Sequence, residues 1–144
     1  MQIPVKDRGK YLRGLLIMAK MDEVISEMDR TIIIKTAKHF GYSPDFYEGI
    51  LNTLMRNEYI GNEPIIFYST NLAKHFLIDA INLAGANKNL SNKEINWLKS
   101  TASMNLVDRN WFEETLRECS WNIPINNITQ LAIYWNADNK SVPI

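Results

Sequence analysis

Cysteine, long apolar runs and a signal segment are what this chain lacks. Cys119 is the only cysteine among 144 residues, which excludes an internal disulfide and suits a reducing compartment. No apolar run approaches the roughly 20 residues of a membrane-spanning helix. The start MQIPVKDRGK carries charge where a signal peptide has an apolar core. The sequence therefore predicts a soluble, cytoplasmic protein with no membrane insertion.

An excess of charge of one sign is also absent. Sixteen basic residues meet sixteen acidic ones. Residues 1–64 hold nine of each and residues 65–144 seven of each, so neither half is polarised. Nucleic-acid binding draws on a basic surface for counterion release. We therefore expect no nucleic-acid partner.

Motifs of common enzyme classes are missing as well. The sequence contains no Walker loop, dinucleotide fingerprint, zinc-ligand spacing or serine-nucleophile elbow. Our expectation is a protein that is not an enzyme and has no resident cofactor.

Helical periodicity is what the chain does contain. Apolar residues recur at three- and four-residue steps over most of its length, as the buried face of a helix requires. Gly41 is a typical helix stop, and Ser43 and Asp108 are typical helix caps. Ser91 and Glu94 form a predicted capping box. The apolar stretch IIFY (65–68) has no evident partner strand, so the pattern indicates a linker packed on helices. The predicted class is all-α.

The chain also matches itself when it is shifted by 65 residues, without a gap from Tyr11/Phe76 to Leu51/Leu116. The identical pairs are Leu12/Leu77, Ala19/Ala84, Ser26/Ser91, Thr36/Thr101, Ala37/Ala102, Glu48/Glu113 and Leu51/Leu116. Such a match favours an internal duplication. It predicts one domain, 1–144, a helical bundle of two three-helix halves (about 11–58 and 71–120). An extension, 121–144, would carry a short C-terminal helix.

Within this repeat, AKMDEVISEMDR (19–30) aligns with AGANKNLSNKEI (84–95). Each stretch ends one helix, turns, and starts the next with a serine followed three positions later by an acid. This layout resembles the tellurite-resistance TerB family and its TerB-like relatives. These are all-helical bacterial domains whose halves each carry an Ala-Asp-Gly turn followed by a serine and a glutamate. The resemblance covers about residues 11–119.

The resemblance implies a binding, sensing or scaffold module of a bacterial stress-response or tellurite-resistance-like system. It implies a protein partner or self-association. A homodimeric adaptor domain with no small ligand is the first alternative. In the extension, Trp121 and Trp135 could close the bundle or form a partner surface, and we expect closure.

Members of the family have been thought to bind metal through acidic residues. Carried over, this implies a metal site from a set of four acids: Asp22, Glu23, Asp29 and Glu94. The second turn departs from the family pattern, because Asn87 and Lys88 replace its aspartate and glycine. Hard cations need several converging oxygens. We therefore expect at most weak binding of a divalent cation such as calcium, with helix capping as the plainer role of these acids.

A metal-dependent enzyme is the second alternative. His75 and Asp79 stand one helical turn apart, where two side chains can meet. Together with Asp22 and Asp29 they could hold a catalytic metal if all four shared a pocket. The plainer interpretation of His75 and Asp79 is a pair on the protein surface.

Overall fold

The computed structural model describes residues 3–21, 27–55, 61–85 and 90–119. These ranges contain six α-helices and no strand, which confirms the predicted all-α class. The helices are α1 (Val5–Met21), α2 (Glu27–His39), α3 (Pro44–Met55), α4 (Thr70–Gly85), α5 (Asn92–Met104) and α6 (Arg109–Cys119).

Helices of the second group, α4–α6, begin at a fixed distance from those of the first group, α1–α3. Each starts 65 residues after its counterpart. The starting pairs are Val5 and Thr70, Glu27 and Asn92, and Pro44 and Arg109. The offset found in the sequence is therefore also the offset between the helix starts.

Side-chain caps set two of these starts. Before α5, the Ser91 Oγ accepts from the Glu94 amide at 3.1 Å and the Glu94 carboxylate accepts from the Ser91 amide at 2.9 Å. Before α6, Asp108 Oδ2 accepts from the Trp111 amide at 3.0 Å. These contacts satisfy backbone donors that a helix start leaves without partners, and they confirm the predicted caps.

The corners α2–α3 and α5–α6 share one backbone pattern. The Tyr42 amide donates to the Ala37 carbonyl at 3.0 Å, and the Val107 amide donates to the Ala102 carbonyl at 3.0 Å. Between these bonds the chain passes through left-handed backbone, with φ of +90° at Gly41 and +58° at Leu106. The corners follow the helix-ending pattern in which a left-handed residue allows a long backward hydrogen bond.

The segment 61–69 connects the two groups without forming a strand. Ile65 and Phe67 are buried, as the linker interpretation predicts. The Asn105 side chain donates to the Ile65 carbonyl at 2.6 Å and accepts from the Phe67 amide at 2.8 Å. One side-chain amide thus makes the two bonds that a neighbouring strand would make. An extended linker is therefore satisfied without a sheet.

The core lies along the contact between α1 and α4, which is the most extensive contact between two helices. α4 also packs on α5 and α6, whereas α1 packs on α2. A separate apolar cluster joins α1, α2 and α3, with buried members Leu12, Leu16, Ala19, Ile33, Ala37, Tyr47 and Leu51. Because α4 is covered by three helices, more of its circumference is buried than an amphipathic surface helix would show.

Several predicted features fall outside the described residues. These are Asp22, Glu23 and Ser26 in the first turn, Asn87 and Lys88 in the second, Trp121, Trp135 and the short C-terminal helix. Among the helices that the structure describes, none is long and apolar enough to cross a membrane.

Candidate functional site

A buried hydrogen bond joins α1 and α4 near the centre of the bundle. The Tyr11 hydroxyl donates to Asp79 Oδ2, and neither residue has any exposed surface. A buried carboxylate is costly unless a donor satisfies it, so this bond is needed where it stands. Because water does not reach either residue, the contact works as a polar tie between the two helices.

A second contact crosses the same interface without polar atoms. The ring of Phe76 on α4 lies so close to Gly14 on α1 that a Cβ added at Gly14 would overlap it. The Phe76 ring also meets the Tyr11 ring edge-on, with centroids 5.2 Å apart. Only glycine lets the two helices approach in this way.

These two contacts are related by the repeat offset. Tyr11 and Phe76 stand 65 residues apart, and so do Gly14 and Asp79. The polar contact joins the first position of α1 to the second position of α4, and the apolar contact joins the first position of α4 to the second of α1. One pair of positions is thus used twice, once with a hydrogen bond and once with close packing.

His75 lies one turn before Asp79 and is also fully buried. Its Nδ1 lies 2.9 Å from the Asn71 carbonyl oxygen. Burial lowers the pKa of His75 below 6.5, so the imidazole is neutral at pH 7. The prediction of a surface His75–Asp79 pair is therefore wrong, because α4 is enclosed by α1, α5 and α6.

Of the four acids implied as metal ligands, the structure describes Asp29 and Glu94. Both are buried, at 2% and 0% exposure, and they stand 65 residues apart in the first turns of α2 and α5. Glu94 has a structural role in the capping box with Ser91. Acids in a first turn are also stabilised by the helix dipole.

No metal centre forms within the described ranges. There, no three or more His, Cys, Asp or Glu side chains come together in a way that could hold an ion. Asp22 and Glu23 lie outside those ranges, so a cation site at the first turn stays a prediction. The catalytic alternative also stays a prediction, although Asp29, His75 and Asp79 offer a substrate almost no accessible surface.

Sequence reasoning missed the crossing contacts, although two signals were present. Asp79 stands inside the apolar run FLIDAI, where a carboxylate needs a buried donor, and Gly14 stands inside a helix, where glycine is unfavourable. The repeat aligns these two exceptions with each other. Comparing the exceptions rather than the identities would have pointed to the crossing.

Comparison with known proteins adds no relative. No family model, curated protein sequence or solved structure matches the chain. Inference about function therefore starts from the residues and from their geometry.

Proposed function

We propose that this protein is a TerB-like binding or sensing module, with α1–α3 and α4–α6 as duplicated halves. The two crossing contacts carry this proposal. A two-fold axis between α1 and α4 would exchange Tyr11 with Phe76 and Gly14 with Asp79, and the contacts Tyr11–Asp79 and Phe76–Gly14 are related in this way. Chance similarity between unrelated helices would not be expected to reproduce such an exchange.

Local geometry supports the same proposal. The 65-residue spacing holds for all three pairs of helix starts and for the hydrogen bonds that close the two corners. It also relates the buried acids Asp29 and Glu94. Agreement at the levels of sequence, helix start and hydrogen bond is typical of a repeated unit that buries its apolar face against its copy.

The proposed role is binding within a bacterial stress-response or tellurite-resistance-like system. The buried polar groups whose hydrogen bonds are described act in packing and capping: Asp79 ties two helices, and Glu94 closes a helix start. The family resemblance places cation binding at the turns before α2 and α5. In this chain the first turn keeps more carboxylates than the second, so the first turn is the proposed cation site.

Calorimetric titration with calcium tests this role. We expect the native chain to bind with a dissociation constant on the order of 10⁻³ M or weaker, since few carboxylates converge. Asp22→Asn should remove that binding. Asp45→Asn is the matched control, because Asp45 is an exposed acid in the first turn of α3 and should leave the titration unchanged.

A gain of binding is the sharper arm of this experiment. The double substitution Asn87→Asp with Lys88→Gly restores the Ala-Asp-Gly turn in the second half, and it should strengthen calcium binding by adding a carboxylate and removing a cation. Tight binding by the native chain that Asp22→Asn leaves untouched would place the site elsewhere. No gain from the restored turn would contradict cation binding at these turns.

A further inference from the structure

An open groove of about 550 Å³ lies at the corner between α5 and α6, and we call it the α5–α6 groove. Three of its lining side chains, Ala102, Val107 and Phe112, belong to the buried core. The other lining residues are Lys99, Ser103, Leu106, Arg109 and Glu113. The groove thus has an apolar floor and a mixed rim whose largest exposed apolar member is Leu106.

Leu106 is unusual in two independent ways. Its side chain is 85% exposed, and its backbone is left-handed, with φ of +58°. A Cβ makes left-handed backbone costly, which is why glycine is the usual residue at such a corner. Gly41 holds the equivalent place in the α2–α3 corner with the same hydrogen bonds. The backbone therefore does not require a leucine, and an 85% exposed side chain gains little from packing.

The chain itself supplies an apolar segment beside this groove. Residues 120–135, SWNIPINNITQLAIYW, contain no charged residue. They follow α6 directly, and Phe112 on the groove floor precedes the end of that helix at Cys119 by seven residues. Seven helical residues span about 10 Å, a distance that three or four extended residues cover. The segment is thus long enough to return to the groove.

We propose that residues 120–135 dock into the α5–α6 groove, with Leu106 as the principal apolar contact. An uncharged segment needs no ion partner from the rim residues Lys99, Arg109 and Glu113. A second copy of the chain fits less well, because a stable dimer buries about 800 Å² on each partner. One exposed leucine beside a single groove offers far less. Docking of the tail gives the strained, exposed leucine a reason for its position.

Variants of the full chain test the docking. Leu106→Asp and Leu106→Gly both remove the apolar contact, and Leu106→Gly also relieves the left-handed strain. Ile66→Asp is the matched control, because Ile66 is 48% exposed and does not line the groove. Hydrogen exchange of the amides of 120–135 is the main measurement. We expect both Leu106 variants to speed that exchange about ten-fold, the effect of losing about 1.4 kcal/mol of docking, and Ile66→Asp to leave it unchanged.

Tryptophan quenching by acrylamide provides a second readout. Trp97 and Trp111 are only 6% and 5% exposed, so an increase in quenching reports on Trp121 and Trp135. Unchanged exchange and quenching in both Leu106 variants would overturn the proposal. So would a native dimer, seen by light scattering, that Leu106→Asp dissociates without changing exchange in 120–135. That second outcome would identify another copy of the chain as the occupant.

Discussion

The two three-helix groups place different side chains at equivalent positions, and the crossing of α1 and α4 shows how. The first group contributes Tyr11 and Gly14, and the second contributes Phe76 and Asp79. Each aromatic ring faces the small or polar residue of the other group. The crossing is therefore complementary pair by pair, and one pair could become polar while the other stayed apolar.

The two corners differ in the same manner. Tyr42 stacks on Phe46 at 4.6 Å beside the α2–α3 corner, whereas Lys74 lies 5.2 Å from the ring centre of Trp111 beside the α5–α6 corner. The backbone bonds of both corners are equivalent. What the groups share is backbone geometry, and what differs is the chemistry of their surfaces. Differences between the groups are thus the first place to look for function.

Gly14→Val should produce the largest change, because it attacks the apolar crossing contact. The added side chain overlaps Phe76, which is fully buried and cannot move aside. We expect a loss of about 3 kcal/mol or more in the free energy of unfolding, measured by urea denaturation. Gly9→Ala in the same helix is the control, since its Cβ would meet only the Tyr42 hydroxyl at 3.4 Å. Equal losses from both variants would contradict close packing at Gly14.

Tyr11→Phe should have the next largest effect, because it breaks the polar crossing contact. The buried Asp79 carboxylate loses a hydrogen bond, at a cost of about 2 kcal/mol. Asp79→Ala alone leaves the Tyr11 hydroxyl buried without this acceptor.

The double variant converts the polar contact into one that resembles Phe76–Gly14. We therefore expect it to lose less stability than the two single variants together, with a coupling free energy of about 1 kcal/mol. Simple additivity in urea denaturation would show that the hydrogen bond contributes nothing measurable.

These contacts also show what the sequence could predict. Helix starts, caps and the Ser91–Glu94 box depend on neighbours a few residues apart, so local patterns found them. The Tyr11–Asp79 bond joins residues 68 positions apart and left no local trace. The repeat alone carried that long-range information, because it aligns the two unusual residues Gly14 and Asp79.

The misplaced His75–Asp79 pair has a related cause. A polar residue on a predicted helix is normally assigned to the exposed face. That rule assumes one covered side, whereas α4 is covered by three helices. Which helix becomes the central one depends on packing between the groups, and local periodicity does not contain it.

Acidification should reveal the burial of His75. Burial lowers its pKa in the folded state, so the unfolded chain binds the proton more readily. The free energy of unfolding should therefore be highest above about pH 6.5 and should fall as pH decreases below that value. His75→Leu should flatten the dependence between pH 7 and about 5, above the usual carboxyl range.

His39→Gln is the control for this measurement. Burial and the nearby charge of Arg8 lower the pKa of His39 as well, but its side chain is exposed, so its contribution should be smaller. Urea denaturation at several pH values gives both slopes. A slope that survives His75→Leu unchanged would mean that other groups cause the acid sensitivity.

The smallest expected effect compares the caps at the two corners. Asp108 Oδ2 lies 3.0 Å from the Trp111 amide, whereas Ser43 Oγ lies 3.4 Å from the equivalent Phe46 amide. An ionised acceptor at a helix start also gains from the dipole. Asp108→Ala should therefore cost about 1 kcal/mol of unfolding free energy and Ser43→Ala about half as much. Asp108→Ser tests the cause directly, because it gives α6 the cap of α3. If distance and charge set the cap strength, this exchange should lose only the difference between the two alanine variants, and equal losses from Asp108→Ala and Ser43→Ala would show that the corners are energetically the same.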